Sequence, residues 1–269
     1  HELQILDRQL APLRRFPAAG RRLGLVTGAN WLFTTADGQG ELIDLDAPTV
    51  PLWRGPSTPS YLARAIDLDG DGTRELLVSR TWPALGFRAL AGLGGPMAHE
   101  RVAHPATDAS DSELTALWDG DLDGDGTREI VAAFGPWNAF DLRVFHTDAR
   151  GELELVARRS FGRITGLTGL RRGGEHLLAA INDEHSPDRE LFPTPPHTGE
   201  PSGIHLLRWN GASLIEADFV PLPRSDTSRE APTGGLLLAA DLDGDASEEL
   251  IADLGHAGTR IMLLVRQGE

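Results

Sequence analysis

Three stretches of this chain gather carboxylates at a spacing suited to a divalent cation. They are Asp67-Leu68-Asp69-Gly70-Asp71-Gly72-Thr73-Arg74-Glu75, Asp121-Leu122-Asp123-Gly124-Asp125-Gly126-Thr127-Arg128-Glu129 and Asp241-Leu242-Asp243-Gly244-Asp245-Ala246-Ser247-Glu248-Glu249. Each runs at once into an apolar segment. Calcium is a hard cation that takes about six to eight oxygens at about 2.3–2.6 Å. Carboxylates at positions 1, 3 and 5 of a tightly wound loop converge on one point. The position 7 carbonyl (Thr73, Thr127, Ser247) adds an oxygen, and the Glu at position 9 closes the shell. Glycines at positions 4 and 6 permit the sharp turn. Ala246 stands at position 6 of the third copy, where strain or a weaker site is expected.

An EF-hand begins similarly but needs a bidentate Glu at position 12 and a following helix. Position 12 here is Val78, Ala132 and Ala252, inside short apolar runs of buried-strand type. The competing reading of one such loop is an Asp/Gly surface turn. Three copies, each ending at Glu and entering a strand, argue against it.

The charge supports a metal role. The net charge is −15, and every cation is Arg. Positions 1, 3, 5 and 9 of the three loops hold 12 of the 40 acidic residues, and without them 28 acids face 25 Arg. Clustered acidity of this kind repels itself unless a cation binds. A Lys-free, acidic chain is a poor nucleic-acid ligand, because phosphate contacts supply most of that affinity. Without cysteine there is no disulfide framework and no thiolate site. No apolar run approaches the roughly 20 residues of a membrane span, and no basic-then-apolar leader is present. An opening at His1 suits the mature form of a secreted or periplasmic protein, and equally a tag remnant.

The loops also set a repeat. Asp67 and Asp121 are 54 residues apart, and Asp121 and Asp241 are 120 apart, close to two periods. A fourth copy without ligands falls between them at Gly166–Ala180, with Arg171 and Arg172 in place of carboxylates, so no calcium is expected there. A fifth lies at Gly20–Thr27. Each copy continues through further strands, such as Leu142–Phe145 and His205–Trp209, with Asn210-Gly211 as a hairpin signal. Four strands per repeat of this length predict a β-propeller. The expected fold is all-β, one domain over 1–269, with five blades near 11–50, 58–105, 112–160, 161–222 and 233–269. The strand in 1–10 is expected to complete the last blade, a frayed arm being the alternative.

These loops resemble the FG-GAP/VCBS repeats of integrin α-subunit propellers and many bacterial secreted proteins. The resemblance covers nearly the whole chain as a repeat frame and is specific at three loops. Carried over residue by residue, it implies about three calcium ions. Their ligands would be Asp67, Asp69, Asp71, Thr73 and Glu75; Asp121, Asp123, Asp125, Thr127 and Glu129; and Asp241, Asp243, Asp245, Ser247 and Glu249. Five blades depart from the family's usual seven, and the Phe-Gly element is matched only by Phe134-Gly135 and Phe161-Gly162. Family members include adhesion proteins, lectin-like binders and parts of enzymes.

In such a fold the acidic loops share one face, and the connections after the second strands share the other. The sequence places unusual residues in that second set: Asn30-Trp31, Arg80-Thr81-Trp82, Pro136-Trp137-Asn138 and His256. A long insertion, Asn182 to Gly203, carries His185 and is long enough to act as a lid or contact. Trp31, Trp82 and Trp137 would form a stacking surface, with Arg80, His185 and His256 beside it; packing between blades is the competing reading. No nucleophile elbow, zinc motif or phosphate loop is present. The leading expectation is therefore a calcium-stabilised extracytoplasmic recognition module for a protein or glycan. The alternative is an enzyme at the channel mouth around Asp183, Glu184, His185 and His256, or a copper protein using the amine and imidazole of His1.

Overall fold

The computed structural model describes residues 2–6, 11–17, 22–26, 28–36, 38–56, 63–79, 86–105, 114–134, 140–183, 200–221, 236–253 and 262–265. It is all-β: the described residues form strands and turns, with no helix among them. By contact it divides into two units, His1–Thr107 with Asp148–Glu152, and Asp108–Thr147 with Leu153–Glu269.

The first unit opens with a two-stranded hairpin, β1 (Glu2–Leu6) against β2 (Pro12–Pro17). Sheet I follows as β3 (Arg22–Val26), β4 (Trp31–Ala36), β5 (Gln39–Asp44) and β6 (Pro51–Pro56). Sheet II comprises β7 (Ala63–Ile66), β8 (Glu75–Ser79), β9 (Gly86–Ala91) and β10 (His99–Pro105). Both are antiparallel meanders in chain order. Val26, Phe33, Leu42 and Trp53 of sheet I pack on Ala65, Leu76, Val78 and Leu90 of sheet II.

The second unit holds sheet III, of β11 (Leu114–Gly120), β12 (Glu129–Phe134), β13 (Asp141–Thr147) and β14 (Leu153–Ser160). Sheet IV is β15 (Arg163–Arg172), β16 (Glu175–Asp183), β17 (Gly203–Trp209) and β18 (Leu214–Pro221). Sheet V is β19 (Leu236–Ala240), β20 (Glu249–Asp253) and β21 (Met262–Val265). Side chains alternate across the pleat, so sheet IV is buried on both faces. Leu178 and Ala180 meet Val131 and Ala133 of sheet III. Leu177, Ala179 and Ile181 turn the other way, to Leu237, Leu250 and Ala252 of sheet V. Strands buried on both sides read as continuous apolar runs, as β12 does: all six of its residues are buried.

Two expectations need correction. The N-terminal strand does not complete the last sheet: β1 pairs with β2, and sheet V has three described strands. Few residues separate β1 from β2, and a local antiparallel partner costs less loop-closure entropy than a distant one. The first repeat is also shifted. Sheet I spans 22–56, not 11–50, because 12–17 belong to the hairpin and Pro51–Pro56 supplies the fourth strand.

The ligand-free fourth copy is a strand–turn–strand unit. Its turn is only Gly173-Gly174, with φ of 56° and 84°, values that suit a two-residue hairpin.

Candidate metal centres

Each acidic loop joins the first and second strands of its sheet: 67–74 between β7 and β8, 121–128 between β11 and β12, 241–248 between β19 and β20. The same hydrogen bonds wind all three. The position 1 carboxylate accepts from the position 4 amide (2.8, 2.7 and 2.7 Å) and from the position 6 amide (3.0 Å in every copy). Position 3 accepts from position 5 at 3.3 Å, and position 5 from position 7 at 2.6–2.7 Å. The Glu at position 9 accepts the position 2 amide at 2.7–2.8 Å. Asp side chains that bond the backbone two or three residues on stabilise such turns without help from the rest of the fold.

The winding requires left-handed backbone at positions 4 and 6. Gly70, Gly72, Gly124, Gly126 and Gly244 have φ from 75° to 89°. Ala246 has φ of 70° and is the one described non-glycine with positive φ. An L-residue pays about 1–2 kcal/mol there. Ala246→Gly is therefore expected to raise stability by about 1 kcal/mol, part of the gain being returned to the freer unfolded chain. Gly126→Ala should lower it by a similar amount; no atom lies within 4 Å of an added Cβ, so the penalty is conformational. Urea unfolding of both variants in calcium checks the pair.

The donor set suits a hard cation. Carboxylate oxygens of Asp67, Asp69 and Asp71 lie within 4.8 Å of one another, as do those of Asp121, Asp123 and Glu129, and of Asp241, Asp243 and Glu249. The closing glutamates are buried: Glu75 is 3 %, Glu129 1 % and Glu249 7 % exposed. Burial pushes the Glu129 carboxyl above its ordinary range, and Asp123 and Asp125 add to the shift against the opposing Leu122 amide and His146. Asp125, exposed, is held below its ordinary range by the Thr127 amide and hydroxyl. A buried carboxylate crowded by like charges is relieved by a bound cation.

The loops are anchored to neighbouring strands. Arg74 donates to the Gly28 carbonyl of sheet I. His176 Nδ1 lies 2.6 Å from the Asp121 carbonyl oxygen. Glu248 accepts the Arg171 amide at 2.6 Å and donates its own amide to the Arg171 carbonyl at 2.9 Å.

The other expected site residues are distributed differently. Trp31 is expected beside Trp82 and Trp137, but it follows the turn at 28–30, between the first and second strands of sheet I. Its turn therefore corresponds to the acidic loops, and the half-buried ring packs on the core of sheets I and II. Arg80, Trp82, Trp137, His185 and His256 lie outside the described residues, as do His1 and Glu184. In sequence, the latter group except His1 falls between the second and third strands of sheets II to V.

One repeated feature escaped the sequence. The third strands of sheets II, III and IV carry a buried basic residue at matching registers: Arg88 (8 % exposed), Arg143 (2 %) and His205 (0 %). Arg88 pairs with Glu100 at 3.0 Å and Arg143 with Asp141 at 3.1 Å. His205 Nδ1 sits 2.8 Å from Glu216, and its Nε2 2.9 Å from the Pro201 carbonyl oxygen. Arg159 bonds Glu200 at 2.6 Å, and Asn182 Nδ2 donates to the carbonyls of Glu200 and Pro201. These contacts pin the returning end of the 182–203 insertion. The Glu200, His205 and Glu216 donors are also close together, but the Arg159 guanidinium already supplies the cation.

Fold and site together define an all-β repeat protein of antiparallel sheets, four of them four-stranded among the described residues, three of whose first connections are preformed acidic loops. No protein-family model matches the chain, and no curated protein sequence matches it. Solved structures share a low level of likeness. A chain of the S. cerevisiae assembly of a Dbp5 variant bound to Nup159, a Gle1 variant, IP6 and ADP has TM-score 0.44 and 12% identity over 98% of this chain and 65% of that one. The N-terminal domain of Nup159 has TM-score 0.44 and 9% identity, with 91% and 60% covered. Sqt1 from Chaetomium thermophilum has TM-score 0.40 and 13% identity, with 83% and 65% covered. The chain thus spans less than two thirds of each of these.

Proposed function

We propose that this chain is a calcium-stabilised β-propeller of the FG-GAP/VCBS type, acting outside the cytoplasm as a recognition module for a protein or glycan. The observation that carries the reading is the threefold loop, with one hydrogen-bond pattern and converging carboxylates in every copy. Millimolar extracellular calcium suits loops of modest affinity. Face-to-face packing of successive four-stranded meanders, seen within each unit, is the local arrangement of propeller blades. Calcium fixes the frame in this reading. Recognition belongs to the second-to-third connections, where Arg80, Trp82, Trp137, His185 and His256 stand in sequence.

Elemental analysis of dialysed protein tests the metal half: about three calcium ions per chain are expected, and none would reduce the loops to turns. A Trp82→Ala, Trp137→Ala double variant tests the other half on glycan and protein arrays. Lost binding at unchanged melting temperature supports recognition, whereas an unchanged array profile sinks it.

A further inference from the structure

The fourth copy of the repeat has no acidic loop, and it packs between two sheets that have one. Its two-residue turn, Gly173-Gly174, sets Arg171 and His176 opposite each other as a cross-strand pair of β15 and β16. Each half of that pair holds a different loop.

On one side, His176 Nδ1 lies 2.6 Å from the carbonyl oxygen of Asp121, the first residue of the sheet III loop. A carbonyl can only accept, so this nitrogen carries the hydrogen. The Asp121 carboxylate in turn winds that loop by accepting the amides of Gly124 and Gly126. On the other side, Arg171 meets Glu248 of the sheet V loop. The Arg171 amide donates to Glu248 Oε2 at 2.6 Å, and the Arg171 carbonyl accepts the Glu248 amide at 2.9 Å. The next residue, Glu249, is the buried glutamate that closes the sheet V loop on the Leu242 amide. The strand that carries His176 is itself clamped. Leu178 and Ala180 belong to the core shared with sheet III, and Leu177 and Ala179 to the core shared with sheet V. Close-packed strands transmit a displacement instead of absorbing it.

We propose that the Arg171–His176 pair couples the loops of sheets III and V, so that calcium in one raises the affinity of the other. This rests on the reading of the loops as calcium sites, and it gives the ligand-free copy a role as the strut between two of them. An ion in the sheet III loop fixes the Asp121 carbonyl, and through it His176 and Arg171. The second ion then meets a loop whose closing end is already held, so less ordering remains to oppose its binding. The sheet II loop is anchored elsewhere, through Arg74 to the Gly28 carbonyl of sheet I.

The test is a calcium titration of the full chain, stripped with EDTA and then freed of it. Amide resonances of Gly124 and Gly126 report the sheet III loop, and that of Gly244 reports the sheet V loop. In the native protein both sets should move together, on a curve steeper than one-site binding. Silencing the sheet III loop with Asp123→Asn and Asp125→Asn should raise the calcium needed at Gly244 by about fivefold or more. Silencing the sheet V loop with Asp243→Asn and Asp245→Asn should shift Gly124 and Gly126 by the same factor, because coupling is reciprocal. With His176→Ala added, neither silencing should reach the other loop. His176→Asn, whose amide can replace the ring N–H, should restore the effect. A Gly244 titration that is the same with the sheet III loop intact or silenced would overturn the coupling and leave the calcium reading standing. Loop glycines that do not respond to calcium in the native protein would overturn both.

Discussion

Stripping the chain with EDTA should lower its melting temperature by more than about 15 °C, and added calcium should restore it. A ligand held at about 100 times its Kd stabilises the state that binds it by about 2.7 kcal/mol. Three such sites give about 8 kcal/mol. For a chain of this size each kcal/mol moves Tm by about 2 °C or more. Under the proposed reading the ion would relieve the crowding of the buried Glu129 and Glu249 against their neighbouring aspartates. The pH dependence of the stripped protein carries the same signature. Burial holds the folded-state Glu129 carboxyl above its unfolded value. Its contribution is therefore fully present below the unfolded value and is lost as pH rises through the raised one. Mild acidification of the metal-free protein should then recover part of the loss, through the range just above the ordinary carboxylate value. In saturating calcium the same acidification should destabilise, because protons compete with the ion. Scanning calorimetry in EDTA and in calcium, at neutral and mildly acidic pH, measures all four states. Identical melts in EDTA and calcium would remove the energetic case for the sites.

Trp118→Ala should destabilise by about 3 kcal/mol and weaken metal binding at the sheet III loop. The indole packs on the shared core of sheets III and IV and lies on two glycines. A Cβ on Gly120 would come within 2.4 Å of Trp118 Cζ2, and one on Gly169 of sheet IV within 2.3 Å. Removing a large core aromatic costs about 3–5 kcal/mol, and this half-buried ring belongs at the lower end. Gly169→Ala is the converse test. The added methyl must displace a rigid ring, for which overpacking costs about 1–3 kcal/mol. Trp118 and Gly120 lead directly into Asp121, so either change moves the base of the loop. Urea midpoints with a calcium titration report both effects. Unfolding free energies within about 0.5 kcal/mol of the native protein's would show that the indole is not holding these sheets together.

The acidic loops were legible in the sequence because their geometry is local. Nine consecutive residues supply the carboxylates, the left-handed positions and the amides that wind them, and Ala246 could be singled out for the same reason. The apolar runs after each loop marked the second strands, and the ligand-free copy was found from spacing, although the spacing could not show its loop reduced to Gly173-Gly174. Pairing across long separations was not readable. Whether β1 joins β2 or the last sheet depends on competing partners, and nothing in Glu2–Leu6 chooses between them. In the sequence Trp31 was indistinguishable from Trp82 and Trp137 as a tryptophan beside an apolar run; only strand order showed that it begins the second strand of its sheet, after a first connection.

What the sequence by itself determined is thus the repeat, the three acidic loops and the all-β class, each written in contiguous residues. Only the tertiary structure aligned Arg88, Arg143 and His205 as one buried basic position, and set His146 beside Glu129. The physical reason is register. A strand's partners are fixed by pairing across connections of variable length, and a shift of one residue would have turned His146 to the opposite face of the sheet.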